Sequence, residues 1–324
     1  MNKPEISVIM PMHNSERYLK GAINSILQQT FRNFEFIIID DGSSDNSGKI
    51  VKCFDDPRIK FFEGERQGIV QQLNFGLTVA NSDVIARMDS DDTCNPQRLT
   101  IQYNYLKNNK SVDLVGTNFN IINERGNFVV RKNLPECHND IEFMMPVTAS
   151  VLHSTILTYK KTVIKIGGYN ATSLFSEDHE LFLRMLLDGN KMYNIQIPLY
   201  NYRVWTGAST GNNFDIQNDC MYRNGLSYLD KKFTGSLKTN FNYYFRRGLL
   251  EYYRGNMNVA RHYLFVSLKM KPKKIVKLSR YLMISLLGNV FISWLRSIGL
   301  LGKVSILISK FFKRDFHIIS PIGK

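Results

Sequence analysis

A strand, a helix and a second strand follow one another at the amino terminus, and this pattern constrains the fold most. Ile6–Pro11 is a β-branched run that predicts a buried parallel strand ended by Pro11, and apolar residues at helical spacing follow from about Glu16. Phe34–Ile39 predicts the second strand. The three elements form a βαβ unit, so we expect ligands to bind beyond the carboxyl ends of a parallel sheet.

Two acidic residues, Asp40 and Asp41, follow the second strand and precede Gly42 and a serine-rich turn. Carboxylates at this edge of a sheet can accept hydrogen bonds from a nucleobase or a ribose, and a glycine lets the backbone approach a ligand. A strand end followed by ordinary turn residues explains the same letters equally well. The pair alone therefore leaves both interpretations open.

The segment ARMDSDD carries three carboxylates, Asp89, Asp91 and Asp92, directly after an apolar run that predicts another buried strand. Like charges this close repel one another unless a cation lies between them or water surrounds them. Oxygen ligands suit a hard ion such as Mg²⁺ or Mn²⁺, which in turn suits a phosphate-bearing substrate. For an isolated cluster, a solvated acidic turn is the simpler interpretation.

A further acidic pair, Glu177 and Asp178, opens the amphipathic helical pattern of SEDHELFLR. The helix dipole by itself accounts for acids in a first turn. In company, the pair completes a set of three parts: a nucleotide pocket, a metal-binding cluster and a carboxylate that can deprotonate an alcohol. A sugar transferase needs all three.

Five motifs occur in an order that resembles the family 2 glycosyltransferases of the GT-A fold. They are SVIMPMHNSERYL, SILQQTFRNFEFIIIDDGSSD, ARMDSDD followed by Pro96 and Arg98, IGGYN, and SEDHELFLRM, and the match covers roughly residues 5–205. The resemblance implies an α/β fold: a Rossmann-like, mostly parallel central sheet with flanking helices. It also implies an inverting enzyme that uses a nucleotide-activated sugar.

The resemblance assigns the first two strand ends to the nucleotide. Pro11 and His13 lie on the loop that touches the nucleotide in the family, although a tyrosine is common where this chain has His13. Asp41 is expected to bond the base, uracil if the donor is a UDP-sugar. Asp40 beside it is expected to support the loop.

The resemblance identifies Asp89 and Asp91 as the family's D-x-D motif, with Asp91 as direct ligand of a divalent metal, Mn²⁺ or Mg²⁺. Asp89 is expected near the ribose and beside the metal. Asp92 is expected to contact the donor sugar or to support the metal ligands. Arg87 is expected to offset the acidic charge or to touch the diphosphate.

Four more residues complete the expected site. The resemblance makes Asp178 the general base and gives Glu177 acceptor binding or a supporting role, while His153 and Arg203 match positions near the donor or its diphosphate. Relatives often have a histidine two residues after the arginine, where this chain has Trp205. In the implied reaction, Asp178 takes the proton from an acceptor hydroxyl, which displaces the diphosphate from the opposite face in one step.

Charge divides the chain. Residues 1–230 hold 23 Lys and Arg against 26 Asp and Glu, whereas residues 231–324 hold 19 against two. We therefore expect a GT-A catalytic domain over 1–230, with a nucleotide-sugar half at about 1–110 and an acceptor half at about 111–230. Residues 231–324 are expected to form a basic, apolar helical extension.

The extension predicts a helical hairpin and then membrane-associated helices. Asn242–Lys269 predicts two helices that turn at Gly255–Asn256, like a single tetratricopeptide hairpin. Tyr281–Leu295 is too short an uncharged run to span a membrane, so helices within 281–309 are expected either in the interface of an anionic membrane or packed on the catalytic domain. Without a nucleic-acid-binding motif, and with this much aliphatic content, we expect no nucleic-acid partner.

Composition agrees with a large intracellular enzyme. The chain has 324 residues and 44% apolar content, and its cysteines are widely spaced, which predicts reduced thiols. The first residues are polar and predict no signal peptide, so we expect the protein at the cytoplasmic face of the cell membrane.

Three functions compete. The leading hypothesis is an inverting transferase that adds a sugar to a lipid-linked or lipopolysaccharide or capsule glycan acceptor. The alternatives are a nucleotidyltransferase that makes the activated sugar, and a non-catalytic binding protein that kept the fold. The nucleotidyltransferase's usual glycine-rich loop is missing from MPMHNSERY, and a binding protein needs none of Asp41, Asp89, Asp91 and Asp178.

Overall fold

A computed structural model describes residues 3–173, 175–207, 214–235 and 240–270. Its strands are β1 (Ile6–Met12), β2 (Phe34–Asp41), β3 (Ile59–Gly64), β4 (Val84–Arg87), β5 (Thr93–Cys94), β6 (Leu114–Ile122), β7 (Phe128–Lys132), β8 (Leu157–Tyr159) and β9 (Met192–Arg203). Its helices are α1 (Glu16–Leu27), α2 (Ser47–Lys52), α3 (Ile69–Val79), α4 (Arg98–Asn108), α5 (His138–Met144), α6 (Lys160–Lys165), α7 (Glu177–Leu187), α8 (Phe214–Lys232), α9 (Phe241–Arg254) and α10 (Met257–Met270).

Among the described residues these strands form one sheet in the order β3-β2-β1-β4-β8-β6-β9-β5, with β7 paired to β6. Strands β3, β2, β1 and β4 run parallel, as do β6 and β9, while β8 joins the two groups antiparallel to both. The predicted α/β fold with a mostly parallel sheet, flanking helices and helices at the carboxyl end is confirmed.

Helices cover both faces of the sheet. Ile6, Val8 and Met10 of β1 belong to a buried cluster with apolar residues of α1 and α4. On the other face, a Cβ atom built on Gly76 of α3 would lie 2.6 Å from Ile9. Because every residue of β1 and β2 is buried, both strands read as continuous apolar runs instead of alternating ones.

Two strands continue further than the sequence predicts. Pro11 lies inside β1 because β4 ends at Arg87, opposite Ile9. In a strand, residues two apart direct their backbone groups to the same side, so Pro11 faces the same neighbouring strand as Ile9. Because β4 has ended before it reaches Pro11, the N–H that a proline lacks is not needed there for a hydrogen bond. Strand β2 likewise includes Asp40 and Asp41 as its last two residues, paired with β3.

The chain divides into two compact units: Met1–Met145 with Ala149–Met221, and Pro146–Thr148 with Tyr222–Lys324. The described part of the second unit contains the predicted helical hairpin, since α9 and α10 turn at Gly255, which has φ +87°. A Cβ atom built on Gly248 of α9 would lie 2.7 Å from Leu264 of α10, so this glycine permits close packing of the two helices.

Within the described residues, no helix has the length and apolar content needed to cross a bilayer. The predicted interfacial helices within 281–309 lie outside the described residues.

Candidate active site

A cavity of about 500 Å³ opens where β1, β2 and β4 end. Parallel sheets bind ligands at this edge because the loops after neighbouring strands face one another there. Of the residues expected to bind the donor or metal, Pro11, His13, Asp41, Arg87, Asp89 and Asp91 line it. The remaining expected residues lie behind the wall or beside it, as described below.

Asp41 is buried at one wall, where it organises the loop after β3. Its carboxylate accepts hydrogen bonds from Gln67 N at 2.7 Å, Gly68 N at 3.0 Å and Gln72 Nε2 at 2.6 Å. This loop crosses so close to Gly42 that a Cβ atom there would lie 2.8 Å from Arg66 N, and Gly42 also has φ +68°. A glycine is therefore required directly after Asp41.

The neighbours of Asp41 fix the loop after β1. His13 Nδ1 donates to the carbonyl oxygen of Asp41 at 2.9 Å, which sets the tautomer of the ring. Asp40 does not line the cavity, and its Oδ1 accepts from Ser43 N at 2.9 Å, so it holds the turn after β2.

The three carboxylates after β4 have different partners. Asp89 pairs with Arg87 Nη2 at 2.7 Å, and Asp91 Oδ2 accepts from Trp205 Nε1 at 2.9 Å. Asp92 turns away from the cavity and accepts from Arg203 N at 2.6 Å. The acidic loop therefore presents two carboxylates to the cavity and uses the third as an internal support.

Burial and mutual repulsion raise the pKa values of the Asp91 and Asp92 carboxyl groups. Desolvation raises the pKa of Asp91, and the charge of Asp89 adds to it. Burial raises the pKa of Asp92 well above its ordinary value, with the charge of Asp91 as the next cause. A cation at this edge would relieve the repulsion.

The donor set fits a magnesium or manganese ion. Arg87 holds one oxygen of Asp89, and Trp205 holds one oxygen of Asp91. The second oxygen of each carboxylate has no side-chain donor among the described residues, so it can bind a cation. No group of three or more His, Cys, Asp or Glu that could hold a metal occurs in the described part of the chain. Mg²⁺ commonly takes one or two carboxylates and completes its octahedron with substrate phosphates and water, which is the arrangement these residues suit.

Glu177 and Asp178 are the first two residues of α7 and are not among the described residues that line the cavity. Asp178 Oδ1 accepts from His179 N at 2.7 Å. Burial and then the charge of Asp178 raise the pKa of Glu177 to about 7, and burial also raises the pKa of Asp178. The charge of Asp89 contributes to both shifts, which relates this pair electrostatically to the acidic loop.

His153 is buried and does not line the cavity. Its Nε2 lies 2.8 Å from the hydroxyl oxygen of Tyr169. Burial and then the positive charge of Arg87 hold the pKa of His153 well below its ordinary value, so its ring is neutral. His153 therefore contacts Tyr169 instead of lining the cavity.

Arg203 is the last residue of β9 and also lies outside the cavity lining. Besides the bond from its N–H to Asp92, its Nε donates to the carbonyl oxygen of Asp91 at 2.8 Å. Its guanidinium lies 4.3 Å from the ring centroid of Tyr18. Arg203 therefore supports the acidic loop from behind.

Sequence patterns missed several residues of the wall: Arg17, Tyr18, Arg66, Gln72 and Trp205. Arg17 pairs with Glu124 at 3.2 Å, whereas the side chain of Arg66 makes no hydrogen bond or ion pair with the described residues. Only Trp205 carried a sequence signal, as a departure from the family pattern.

Solved structures share the fold. The structure of S. aureus TarS residues 1–349 in complex with UDP aligns with a TM-score of 0.56 and 16% identity, covering 86% of this chain and 90% of that one. The mannosyltransferase PcManGT from Pyrobaculum calidifontis, in complex with GDP-Man and Mn²⁺, aligns with a TM-score of 0.53 and 14% identity, over 97% and 89%. The fold places this chain in the class of proteins with the GT-A fold.

Sequence relatives specify the family. The family model "Glycosyl transferase family 2" matches residues 7–167. The O-antigen biosynthesis glycosyltransferase WbnJ of Escherichia coli is 36% identical over 204 residues, which cover 61% of this chain and 79% of WbnJ. The putative glycosyltransferase EpsE of Bacillus subtilis is 32% identical over 224 residues, covering 67% and 79%. The chain belongs to glycosyltransferase family 2.

Proposed function

We propose that this glycosyltransferase moves a sugar from a UDP-sugar to a hydroxyl group of a lipid-linked, lipopolysaccharide or capsule glycan, with inversion at the anomeric carbon. One observation carries the proposal: a single cavity brings Asp41, Asp89 and Asp91 together at the carboxyl ends of three parallel strands. Residues proposed for base recognition and for diphosphate binding thus line the same cavity.

The nucleotide would lie across the ends of β1 and β2. Pro11, His13 and Asp41 line this region, and Asp41 fixes the 67–72 segment beside it. The related folds bind UDP in TarS and GDP-Man in PcManGT, so both nucleotides belong in a test. We propose that the nucleotide of the sugar donor for this chain is UDP.

Asp89 and Asp91 would hold Mn²⁺ or Mg²⁺ together with the diphosphate. Bound there, the ion supplies neutralisation of the charge that develops on the leaving diphosphate. Arg87 holds Asp89 through a 2.7 Å ion pair and brings a positive charge to the same wall. The buried carboxylate of Asp92 keeps the acidic loop after β4 in place through its hydrogen bond with Arg203 N.

Asp178 would take the proton from the acceptor hydroxyl. Its Oδ1 accepts from His179 N, which holds the carboxylate at the start of α7. A raised pKa makes it a stronger base than a carboxylate in water. Glu177 beside it would orient the acceptor, and the deprotonated oxygen would attack the anomeric carbon as the diphosphate leaves.

The acceptor and location are proposed from the relatives and from charge. WbnJ acts in O-antigen biosynthesis by its name, which supports a cell-surface glycan as acceptor. The strongly basic segment 231–324 supports peripheral attachment to anionic lipid at the cytoplasmic face, where lipid-linked acceptors present their sugars.

A thermal-shift screen tests the donor assignment. UDP, GDP, dTDP, CMP and their common sugar conjugates are each added with Mn²⁺ and with EDTA. A ligand at a hundred times its dissociation constant stabilises a protein by about 2.7 kcal/mol. We expect a shift with UDP that EDTA and Asp91→Asn remove and that Asp83→Asn, an exposed surface control paired with Lys3, retains. No shift with any nucleotide would contradict the donor site.

Transfer itself is tested with Asp178→Asn. This variant should bind the donor as the wild type does and lose transfer to an acceptor by a factor of about 10² or more, the typical contribution of a positioned base. Donor binding is followed by calorimetry and the product's anomeric configuration by NMR. Near-normal transfer in the variant would move the base elsewhere, and a retained configuration would contradict inversion.

A further inference from the structure

The indole of Trp205 lies on the cavity wall and has no part in the reaction described above. Its Nε1–H donates to Asp91 Oδ2 at 2.9 Å, although 114 positions separate the two residues in the chain. An indole nitrogen is a donor only, so this contact is a hydrogen bond to a carboxylate oxygen. It joins the segment after β9 to the acidic loop after β4.

Aromatic and cationic neighbours fix the direction of this N–H. The indole packs edge to face on Tyr18, with ring centroids 5.3 Å apart. The guanidinium of Arg17 lies 5.8 Å from the indole and is itself tied to Glu124 at 3.2 Å. Because the ring is held from several sides, the position of its N–H does not depend on Asp91 alone.

The hydrogen bond divides the two oxygens of Asp91. The positive end of the N–H dipole occupies Oδ2, and a cation approaching the same oxygen would meet like charge. Oδ1 accepts no hydrogen bond from a side chain of the described residues, and Asp91 lines the cavity. The hydrogen bond therefore favours ligation of a cation through Oδ1 over ligation through both oxygens of Asp91.

From this geometry we propose that Trp205 is a positioning residue of the metal site, which fixes the carboxylate of Asp91 and restricts it to ligation through Oδ1. This inference rests on the proposed use of a metal. Single-oxygen ligation suits the octahedral Mg²⁺ and Mn²⁺ ions, whereas Ca²⁺ readily takes carboxylates through both oxygens. Trp205 therefore favours the smaller ions over Ca²⁺.

The test compares the full-length wild type with Trp205→Phe, which keeps an aromatic ring against Tyr18 and removes the N–H. Mn²⁺ affinity is measured from the electron paramagnetic resonance signal of free Mn²⁺ at saturating UDP, or at the nucleotide that the thermal screen selects. Ca²⁺ affinity is measured by competition. Trp294→Phe is the matched control, because Trp294 is the other tryptophan of the chain.

Partners that orient metal ligands typically contribute a factor of about 10–100 in metal affinity. We expect Trp205→Phe to weaken Mn²⁺ by about tenfold or more, to weaken Ca²⁺ less or not at all, and to leave nucleotide affinity in EDTA unchanged. Trp294→Phe should match the wild type. A Mn²⁺ affinity within twofold of wild type in Trp205→Phe would overturn the inference and leave the proposed function intact.

Two further results separate the remaining cases. If the wild type binds no Mn²⁺ with any nucleotide, the metal-assisted function fails and the role of Trp205 fails with it. If Trp205→Phe does not fold, the wild type labelled with ¹⁵N-tryptophan still gives a test. Mn²⁺ with nucleotide should then broaden the Trp205 indole signal, assigned by means of Trp294→Phe, and Asp91→Asn should abolish the effect. An unbroadened signal would overturn the inference.

Discussion

The backbone N–H of Arg203 donates to the carboxylate of Asp92 at 2.6 Å, joining the end of β9 to the acidic loop after β4. The side chain of the same arginine reaches the carbonyl oxygen of Asp91. Arg203→Ala should keep the first bond and lose the second. We expect donor and metal affinity to fall together and the free energy of unfolding to fall by about 1–3 kcal/mol, measured by calorimetry and urea unfolding.

Arg125→Ala is the control for this change, because Arg125 is exposed on the turn before β7. It should leave both affinities and stability unchanged. A loss of donor affinity in Arg203→Ala without any loss of metal affinity would instead indicate direct contact with the donor.

Replacing Gly42 or Gly21 by alanine is expected to change the free energy of unfolding in opposite directions. Gly42→Ala forces a side chain into φ +68° and into a 2.8 Å contact with Arg66 N, so we expect the free energy of unfolding to fall by at least about 1–2 kcal/mol. Gly21 is exposed within α1 and has open space around it, so Gly21→Ala should raise the free energy of unfolding by about 0.5–1 kcal/mol. Urea unfolding of both variants checks these signs, and equal effects would contradict the tight turn after Asp41.

Arg66 is expected to contact the donor. Arg66 lines the cavity and its side chain makes no ion pair with the described residues, while the backbone beside it is fixed by Asp41. A charged hydrogen bond contributes about 1.5–3 kcal/mol, so Arg66→Ala should weaken nucleotide-sugar binding about 10–100-fold. Arg66→Lys should recover part of this loss, and the exposed Lys161→Ala should lose nothing. Calorimetric affinities equal to wild type in Arg66→Ala would exclude the contact.

Glu177 predicts a pH dependence of stability. Its pKa is raised from 4.5 to about 7 in the folded chain, so between these values the folded state keeps a proton that the unfolded state releases. Stability should therefore fall as pH rises from about 4.5 to 7, by about 1–3 kcal/mol. Glu177→Gln should reduce this slope, as measured by urea unfolding at several pH values, while the raised pKa values of Asp91, Asp92 and Asp178 maintain the rest. An unchanged slope would show that Glu177 has an ordinary pKa in the folded chain.

The basic segment predicts lipid binding. The full-length protein should cosediment with vesicles that contain anionic lipid, because each Lys or Arg near the surface contributes about 1 kcal/mol. It should dissociate from them as the salt concentration is raised, and it should not bind neutral vesicles. Deletion of residues 271–324 should abolish cosedimentation while donor binding persists. Equal cosedimentation of both chains would contradict attachment through this segment.

Much of the fold was predictable because buried parallel strands are continuous apolar runs. The βαβ unit, the start of α7 at Glu177 and the helical turn at Gly255 all follow from local patterns. The extension of β1 through Pro11 did not, because it depends on where β4 stops, and that position is fixed by the assembled sheet.

The site was predictable where motifs name it and not where tertiary contacts decide. Asp41, Asp89 and Asp91 line the cavity, as the motifs suggest. The sequence could not indicate that Arg203 lies behind the acidic loop, or that Trp205 bonds Asp91, because in each case the partner is more than a hundred positions away.

The two oxygens of Asp41 are both engaged by the segment that begins at Gln67 and ends at Gln72. That segment and the end of β2 consequently form one structural unit, so a substitution in either is expected to alter the conformation of the other. An engineered change of donor preference would then require exchanging residues 40–42 and 63–72 together, because either segment alone would lose the hydrogen bonds that it makes with the other.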